Sequence, residues 1–461
     1  MHPIHHIPCE ILSEIFVQCL PSEYFSADPS TAPLVLAAVG SDWRRLSIAT
    51  PRLWSRISLP LLRSLGDNSG IIQMFQCWLA RSGGCPLSID AFCLGRSKDN
   101  TPNSIPPVLL HALNECSSRW QEVKFMFSAD DFRRLQAKNG LPLLRKLDVT
   151  VVGSPPEIPL TIFGNAPAIR VVQLGGGVSL SNFTFPMGQL RCIHTPSLSV
   201  GQFIHILREA TNLVEFGTCV DVMETLPTSR TDVQAGNLRS LSLYLPDPNW
   251  INLLDSLTCP TLETLTLKSY GYSPIPANHL SRFISRSPLR FLSIGLPRSE
   301  AALNDLPECL SAAPRLEELS IKYLGQEPAY DLFRRMSIVH PAESHSFLPF
   351  LHTLIIGVRP QALYAQNRNR DRGWTYEEVL PMLVNRWNVH PAADAALTSA
   401  RLRAFHLDVT DLDKDQSPTP SPPLKLPKRG SVVFAQMQAL VAEGMRIWID
   451  EEAEEECMHE Y

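Results

Sequence analysis

The feature of this sequence that most constrains its fold is a short apolar pattern that recurs along most of the chain. The pattern places apolar residues at its first, fourth and sixth positions, as in Leu144, Leu147 and Val149. Its inner alternation predicts a β-strand with two side chains facing a core and the one between them facing solvent. Successive central residues lie 21 to 27 residues apart, which predicts stacked units of one strand and one return segment. These central residues are Val123, Leu147, Val172, Ile193, Phe216, Leu241, Leu265, Leu292 and Leu319.

This period resembles that of leucine-rich repeats, which runs from 20 to 29 residues. Half-matches at 54–59 and 86–89 predict the first strands, and full matches at 351–356 and 402–407 predict the last ones. The Asn or Cys that standard leucine-rich repeats carry after the third apolar position is mostly absent, so an irregular array is expected. The alternative is a set of unrelated α/β units that share a leucine-rich composition. The expected fold is an α/β solenoid with a parallel sheet on its concave face.

In such an array the residues between the buried positions face the concave surface and are candidates for binding a target protein. Tyr244 and Phe291 are the expected anchors, because exposed aromatic side chains often dominate binding energy. For each of them taken singly, a surface position without a binding role is the more common alternative. The candidate target-binding residues are Lys146, Gln173, His194, Tyr244, Thr264, Thr266, Phe291, Glu318 and Lys322.

The first sixty residues have a different, helical pattern. Pro8 suits the first turn of a helix, on which Ile11, Leu12, Ile15 and Phe16 form one apolar stripe. Two further short helices are expected before residue 51. Three short helices bury little core, so this segment either caps the next domain or binds a partner.

The same segment resembles an F-box, through Ile7-Pro8-Cys-Glu-Ile11-Leu12, Val39-Gly40-Ser-Asp-Trp43-Arg and Pro51-Arg-Leu53-Trp54. The resemblance implies docking to a Skp-type adaptor and, through it, to cullin. Together with the repeats, it is similar to a class of fungal F-box-like proteins. Ile7 stands where leucine is commoner in the family, and Gly40 where cysteine is frequent. The residues that match the adaptor-binding positions are Ile7, Pro8, Ile11, Leu12, Ile15, Phe16, Val39, Trp43, Leu46, Leu53 and Trp54.

Composition narrows the functional class. A net charge of −5 argues against a nucleic-acid-binding body, which is usually basic. No run of 18 apolar residues predicts a membrane span, and the N-terminal residues do not resemble a signal peptide, so a cytoplasmic or nuclear protein is expected. The eleven cysteines are odd in number and form no C-x-x-C pair, which disfavours disulfide frameworks and structural zinc sites.

The expected domains are an F-box-like region over 1–60, repeats over 61–410, a Pro-rich linker over 411–430 and a terminal helix and strand with an acidic tail over 431–461. An insertion with a basic loop is expected at about 358–374. It could bind an acidic or phosphorylated target, but a solvated loop is the more common explanation of such a run of charges.

The sequence offers no recognisable catalytic or metal motif. Asp411, Asp413 and Asp415 begin like a calcium loop, but Gln416 replaces the required glycine. His340 and His345 do not match zinc-protease spacing. We therefore expect no enzyme activity and no cofactor. The expected function is target recognition within a Skp-cullin-F-box ubiquitin ligase; the alternatives are a leucine-rich scaffold without a ligase and, last, a hydrolase hidden in the array.

Overall fold

The structure is a computed structural model, and it divides the chain into two compact units. Unit 1 comprises Met1–Leu198 and Glu209–Leu213, and unit 2 comprises Ser199–Arg208 and Val214–Tyr461. The residues described are 6–21, 28–62, 69–94, 104–154, 156–221, 232–245, 251–269, 277–296, 306–337, 347–358, 376, 379–388, 400–408 and 431–450.

Unit 1 contains a sheet of parallel strands in sequence order, β1-β2-β3-β4-β5-β6. Its strands are β1 (Arg56–Leu62), β2 (Leu87–Leu94), β3 (Trp120–Ser128), β4 (Lys146–Val152), β5 (Val171–Gly175) and β6 (Cys192–Ser199). Its helices are α1 (Cys9–Gln18), α2 (Leu34–Val39), α3 (Ser41–Ala49), α4 (Ser69–Arg81), α5 (Pro107–Glu115) and α6 (Ala129–Arg134).

Unit 2 contains parallel strands in the order β7-β9-β11-β12-β13-β14-β15-β16, and a separate pair, β8 with β10. Its strands are β7 (Glu215–Asp221), β8 (Val233–Gln234), β9 (Ser240–Leu245), β10 (Leu257–Thr258), β11 (Thr264–Ser269), β12 (Phe291–Gly295), β13 (Glu318–Leu324), β14 (Thr353–Val358), β15 (Ala404–Asp408) and β16 (Arg446–Asp450). Its helices are α7 (Val200–Glu209), α8 (Ile251–Asp255), α9 (Ala277–Ser285), α10 (Leu306–Ser311), α11 (Gln326–Ser337), α12 (Val379–Trp387) and α13 (Val432–Ala442).

The strands form where the apolar pattern predicts them, because alternate side chains have one face to bury. In β9, Leu241, Leu243 and Leu245 are buried, whereas Ser240 and Ser242 are partly exposed. The same alternation holds in β4 and β11. The predicted α/β arrangement with a mostly parallel sheet is therefore confirmed.

The return segments differ between the two units. Within the described part of unit 1, the connection from β4 to β5 contains no helix, and the connection from β5 to β6 contains only two short 3-10 turns, at Leu180–Asn182 and Met187–Gln189. Prolines such as Pro156, Pro159 and Pro167 interrupt these connections, and proline in a helix interior removes a hydrogen bond and clashes with the preceding turn. In unit 2, the connection from β7 to β9 contains no described helix. Each of the later connections between successive strands of the main sheet contains one.

Unit 1 holds the three N-terminal helices against its sheet through tryptophan packing. The Trp54 side chain is fully buried, its indole N–H donates to the Ser47 carbonyl at 2.8 Å, and its ring meets Trp78 edge-on at 5.4 Å. The Arg81 guanidinium lies 4.4 Å from the centre of the Trp54 ring. Trp54 therefore links α3 to α4. Residues 51–54 then continue directly into β1. No helix among the described residues has both the length and the apolar character needed to cross a bilayer.

Candidate protein-binding surfaces

The N-terminal helices expose an apolar strip. On α1 Ile11 is 55% exposed and Ile15, one turn later, is 44% exposed, while on α2 Val39 is 61% exposed. Residues four apart lie on the same helix face, so Ile11 and Ile15 are neighbours, as are Val35 and Val39. We call Ile11, Ile15, Val35, Val39 and Ile48 the N-terminal strip. Exposed apolar side chains concentrated in one small region are typical of a protein-binding surface.

The support beneath this strip is rigid. Phe16 is buried and its ring centre lies 4.7 Å from that of Trp43, which joins α1 to α3. Arg44 donates from Nε to the Ala37 carbonyl at 2.9 Å, which joins α3 to α2. Glu14 on α1 forms an ion pair with Arg52 in the turn before β1.

Three of the residues predicted to bind the adaptor are core residues instead. Phe16, Leu53 and Trp54 are each at most 1% exposed, and Trp54 packs on Trp78. Their prediction as contact residues needs correcting, because these side chains pack inside unit 1, Phe16 on Trp43 and Trp54 on Trp78. Of the remaining predicted residues, Pro8, Ile11, Ile15 and Val39 are exposed, and Ile7, Leu12, Trp43 and Leu46 are partly buried.

The predicted target-binding residues lie on the outward positions of their strands. In unit 1, Gln173 of β5 is in register with His194 of β6, and Lys146 lies one row away, opposite Val171. All three side chains are partly buried. The row that contains Gln173 and His194 continues through Asp148, Lys124 and Asp90.

This unit 1 row carries a charge pattern that is absent from the predicted target-binding residues. Lys124 lies between Asp90 on one neighbouring strand and Asp148 on the other. Burial raises the pKa of both carboxyl groups above the usual aspartate value, although the Lys124 ammonium acts in the opposite direction. The outward face of unit 1 therefore contains partly desolvated charges. The alternation of apolar residues in β2 and β3 places Asp90 and Lys124 at outward positions, so the sequence could have predicted them.

In unit 2, Thr264, Phe291 and Glu318 form one row across β11, β12 and β13. Thr266 lies in the next row and Lys322 is exposed on β13. The two expected anchors do not meet, because Tyr244 pairs with Lys268 in a third row. The Lys268 ammonium donates to the Tyr244 hydroxyl at 2.8 Å and lies 4.7 Å from its ring centre. Tyr244 is thus held by its neighbour, and the two aromatic residues do not form one hot spot.

The outward face of unit 2 also contains a hollow, lined by Thr353, Leu354, Ile355, Ala404, His406 and Trp448, with a volume of about 310 Å³. None of these six residues is among the predicted target-binding residues. Ile355, His406 and Trp448 are in register across β14, β15 and β16. In the sequence, the hollow is indicated by Ala404, a small residue at an outward position where β12 and β13 carry the larger Phe291 and Glu318.

Several predicted features lie outside the described residues. They are the insertion at about 358–374 with its basic loop, the linker over 411–430, the acidic tail and the two histidines at 340 and 345.

Comparisons with known proteins add little to this description. No protein-family model matches the chain, and no curated protein matches it. Among solved structures, a crystal structure of a protein from Bacteroides fragilis is similar at 12% identity over 73% of this chain and 76% of that chain, with a TM-score of 0.32. A TM-score at that level supports no conclusion about fold or function.

Proposed function

We propose that this protein is the target-binding subunit of a Skp-cullin-F-box ubiquitin ligase. In this proposal α1 to α3 are an F-box that binds the Skp-type adaptor, and the parallel strands belong to an irregular leucine-rich-repeat array that binds the target. The observation that carries the proposal is the exposure of Ile11, Ile15 and Val39 on helices whose sequence resembles an F-box.

The energetic argument starts from the exposed area. Covering apolar surface contributes roughly 25 cal/mol per Å² removed from water, before the costs of association are subtracted. Several aliphatic side chains on a rigid support provide such an area at little ordering cost. The packing of Phe16 on Trp43 supplies that rigidity, because it fixes α1 relative to α3.

The repeat assignment is supported by the register of the strands. Rows such as Thr264, Phe291 and Glu318 connect equivalent positions of successive apolar patterns. Equivalent residues in successive units are expected to stack in this way when the units are repeats of one motif. A binding face built from such rows has no need of catalytic residues, because a ligase acts by holding its target at a high effective concentration near the transferred group.

A second candidate function is a leucine-rich scaffold without a ligase, in which the N-terminal helices only cap the array. The burial of Leu53 and Trp54 in unit 1 favours this alternative, because the helices are packed as an integral part of that unit. The two candidates differ in what the N-terminal strip does, and that difference can be measured.

The test replaces Ile11 and Ile15 together by aspartate and measures capture of a purified Skp-type adaptor. Both side chains are exposed, so the substitution introduces charge at the strip without opening the core. We expect capture to weaken by at least tenfold, since charge at the centre of an apolar interface must be desolvated. Leu12 is left unchanged because it is partly buried.

Ile158→Asp is the matched control, because Ile158 is 72% exposed in unit 1 and lies outside the N-terminal helices. This variant should capture the adaptor as the unmodified protein does. Capture that survives the Ile11 and Ile15 replacements, in a protein with an unchanged unfolding midpoint, would leave the scaffold as the better candidate.

A further inference from the structure

The hollow in unit 2 has an apolar floor and a shape fixed by one small residue. Thr353, Ala404 and Arg446 are in register on β14, β15 and β16, and Ala404 is the smallest of the three. In the adjoining row, the aromatic rings of His406 and Trp448 lie 6.3 Å apart at an interplanar angle of 62°. The short Ala404 side chain leaves space between larger neighbours, which is the space that forms the hollow.

The hollow has the dimensions of a site for a single side chain. Its volume of about 310 Å³ is at the lower end of the range for small-molecule pockets. Ile355 and Ala404 give it apolar surface, and Trp448 is 42% exposed beside it. A partly exposed tryptophan next to an apolar depression has the composition of a binding hot spot.

The charged side chains that the structure describes beside the hollow are arranged asymmetrically. The Arg446 guanidinium lies 5.6 Å from the centre of the Trp448 ring, and the Arg446 side chain is exposed. Among the side chains that the structure describes, no carboxylate forms an ion pair with Arg446. On the other side, Glu318 occupies the same row as Ala404, two strands away. Positive charge therefore borders the hollow next to Trp448, and negative charge lies beyond Thr353.

We propose that this hollow binds a bulky apolar side chain of a target protein, in an extended segment where an Asp or Glu follows that side chain. The apolar side chain fills the space above Ala404 and contacts Trp448, and the carboxylate pairs with Arg446. This inference rests on the proposed function, because it names the class of target segment that the repeat face would recognise.

The experiment measures binding of fluorescein-labelled peptides to the full chain by fluorescence anisotropy. The first peptide contains Phe-Glu-Glu between two Gly-Ser-Gly flanks, the second replaces both glutamates by lysine, and the third replaces phenylalanine by alanine. We expect the first peptide to bind at least tenfold more tightly than either of the others.

Two variants locate the site. Ala404→Leu fills the hollow and should weaken the first peptide by at least tenfold. Arg446→Glu changes an exposed charge without altering the core, and it should reverse the preference between the glutamate and lysine peptides. Ala435→Leu is the control, because it makes the same alanine-to-leucine substitution at an exposed position on α13, outside the strands, and should leave binding unchanged.

Three results would overturn the proposal: no measurable binding of the first peptide, equal binding of all three peptides, or a preference that Arg446→Glu leaves unaltered. The Arg446 result decides the matter even if Ala404→Leu does not fold. Adaptor capture is measured on the same proteins. If the unmodified protein binds the first peptide but does not capture the adaptor, the result counts against the ligase assignment and not against the peptide site.

Discussion

Some charged side chains of this protein are buried, and the repeat pattern in the sequence does not show which ones. Arg386 on α12 is 4% exposed and donates to three backbone carbonyls, those of Met336 at 3.0 Å, Leu348 at 3.1 Å and Phe347. Burial lowers its pKa to about 10, because desolvation disfavours the cation. The carbonyls offset that cost and tie α12 to the end of α11 and to the segment before β14.

Replacing Arg386 by methionine should therefore destabilise the protein by about 3 kcal/mol, because buried carbonyl groups would lose their donors. Urea unfolding measures the effect. Arg401→Met provides the comparison, since Arg401 is exposed and stacks on Trp387 at 4.5 Å. An equal loss in both variants would show that the buried carbonyls do not depend on Arg386.

Asp90 makes the stability of unit 1 depend on pH. Its pKa is raised by burial, so folding favours the protonated carboxyl group. The stabilisation is complete below the unfolded value of 3.8 and is lost as the pH rises through the higher folded-state pKa. At neutral pH the folded protein therefore retains an unfavourable buried charge at this position.

Asp90→Asn should raise the free energy of unfolding at pH 7 by about 0.5 to 1 kcal/mol. The gain should shrink as the pH falls toward 3.8, because the native carboxyl group is then neutral as well. Asp148 is retained in this variant so that Lys124 keeps a carboxylate partner. Denaturation midpoints measured from pH 4 to 8 test this, with the exposed Glu157→Gln as the control. A constant gain across that range would contradict the assigned cause.

At the level of elements, the turn after β5 depends on two glycines that are not equivalent. Gly176 and Gly177 have φ angles of +74° and +75°, which side-chain-bearing residues rarely adopt. A Cβ atom on Gly176 would lie 2.4 Å from the Val151 carbonyl oxygen, whereas one on Gly177 would have no neighbour within 4 Å.

Gly177→Ala should cost about 1 kcal/mol, for backbone strain alone. Gly176→Ala should cost at least about 2 kcal/mol more, because the backbone of β4 must also move. Thermal unfolding of the matched pair separates the two contributions. Indistinguishable melting temperatures would show that the turn relaxes freely.

The strands were predictable at this scale, and several other elements were not. A two-residue alternation such as that of Leu241 and Leu243 is sufficient to place a strand. The paired segments β8 and β10 are only two residues long and leave no periodic signal. Pro8 precedes α1 rather than occupying its first turn, a shift of one residue that propensity alone does not resolve.

At the level of the whole molecule, sequence periodicity predicted the parallel α/β arrangement but not how side chains divide between core and surface. Ile11 and Trp54 belong to the same motif, yet Ile11 is exposed and Trp54 is buried against Trp78, which follows 24 residues later. Only three-dimensional packing separates them. The division of the chain into its two units falls between 198 and 214, and the predicted domain boundary at residue 60 stays a prediction.

The hollow at Ala404 was not predicted for a related reason. It arises from residues on β14, β15 and β16, whose apolar patterns are separated by irregular distances in the sequence. The small Ala404 can be read from the sequence, but the hollow that it forms depends on its neighbours across the sheet. The alternation of β2 and β3 likewise places Asp90 and Lys124 at outward positions, but the register decides which charges lie side by side.

The spacing of the in-register strands of unit 2 also limits how an extended peptide could be recognised. The eight strands described in its main sheet span about 34 Å at the usual spacing of 4.8 Å. An extended peptide advances roughly 3.4 Å per residue, so about ten residues would cross that width. Because the two spacings differ, the ligand's side chains fall out of step with the strands within a few residues. If this face binds an extended target segment as proposed, we expect recognition to be concentrated at one or two places and not to follow a code of one ligand residue per strand.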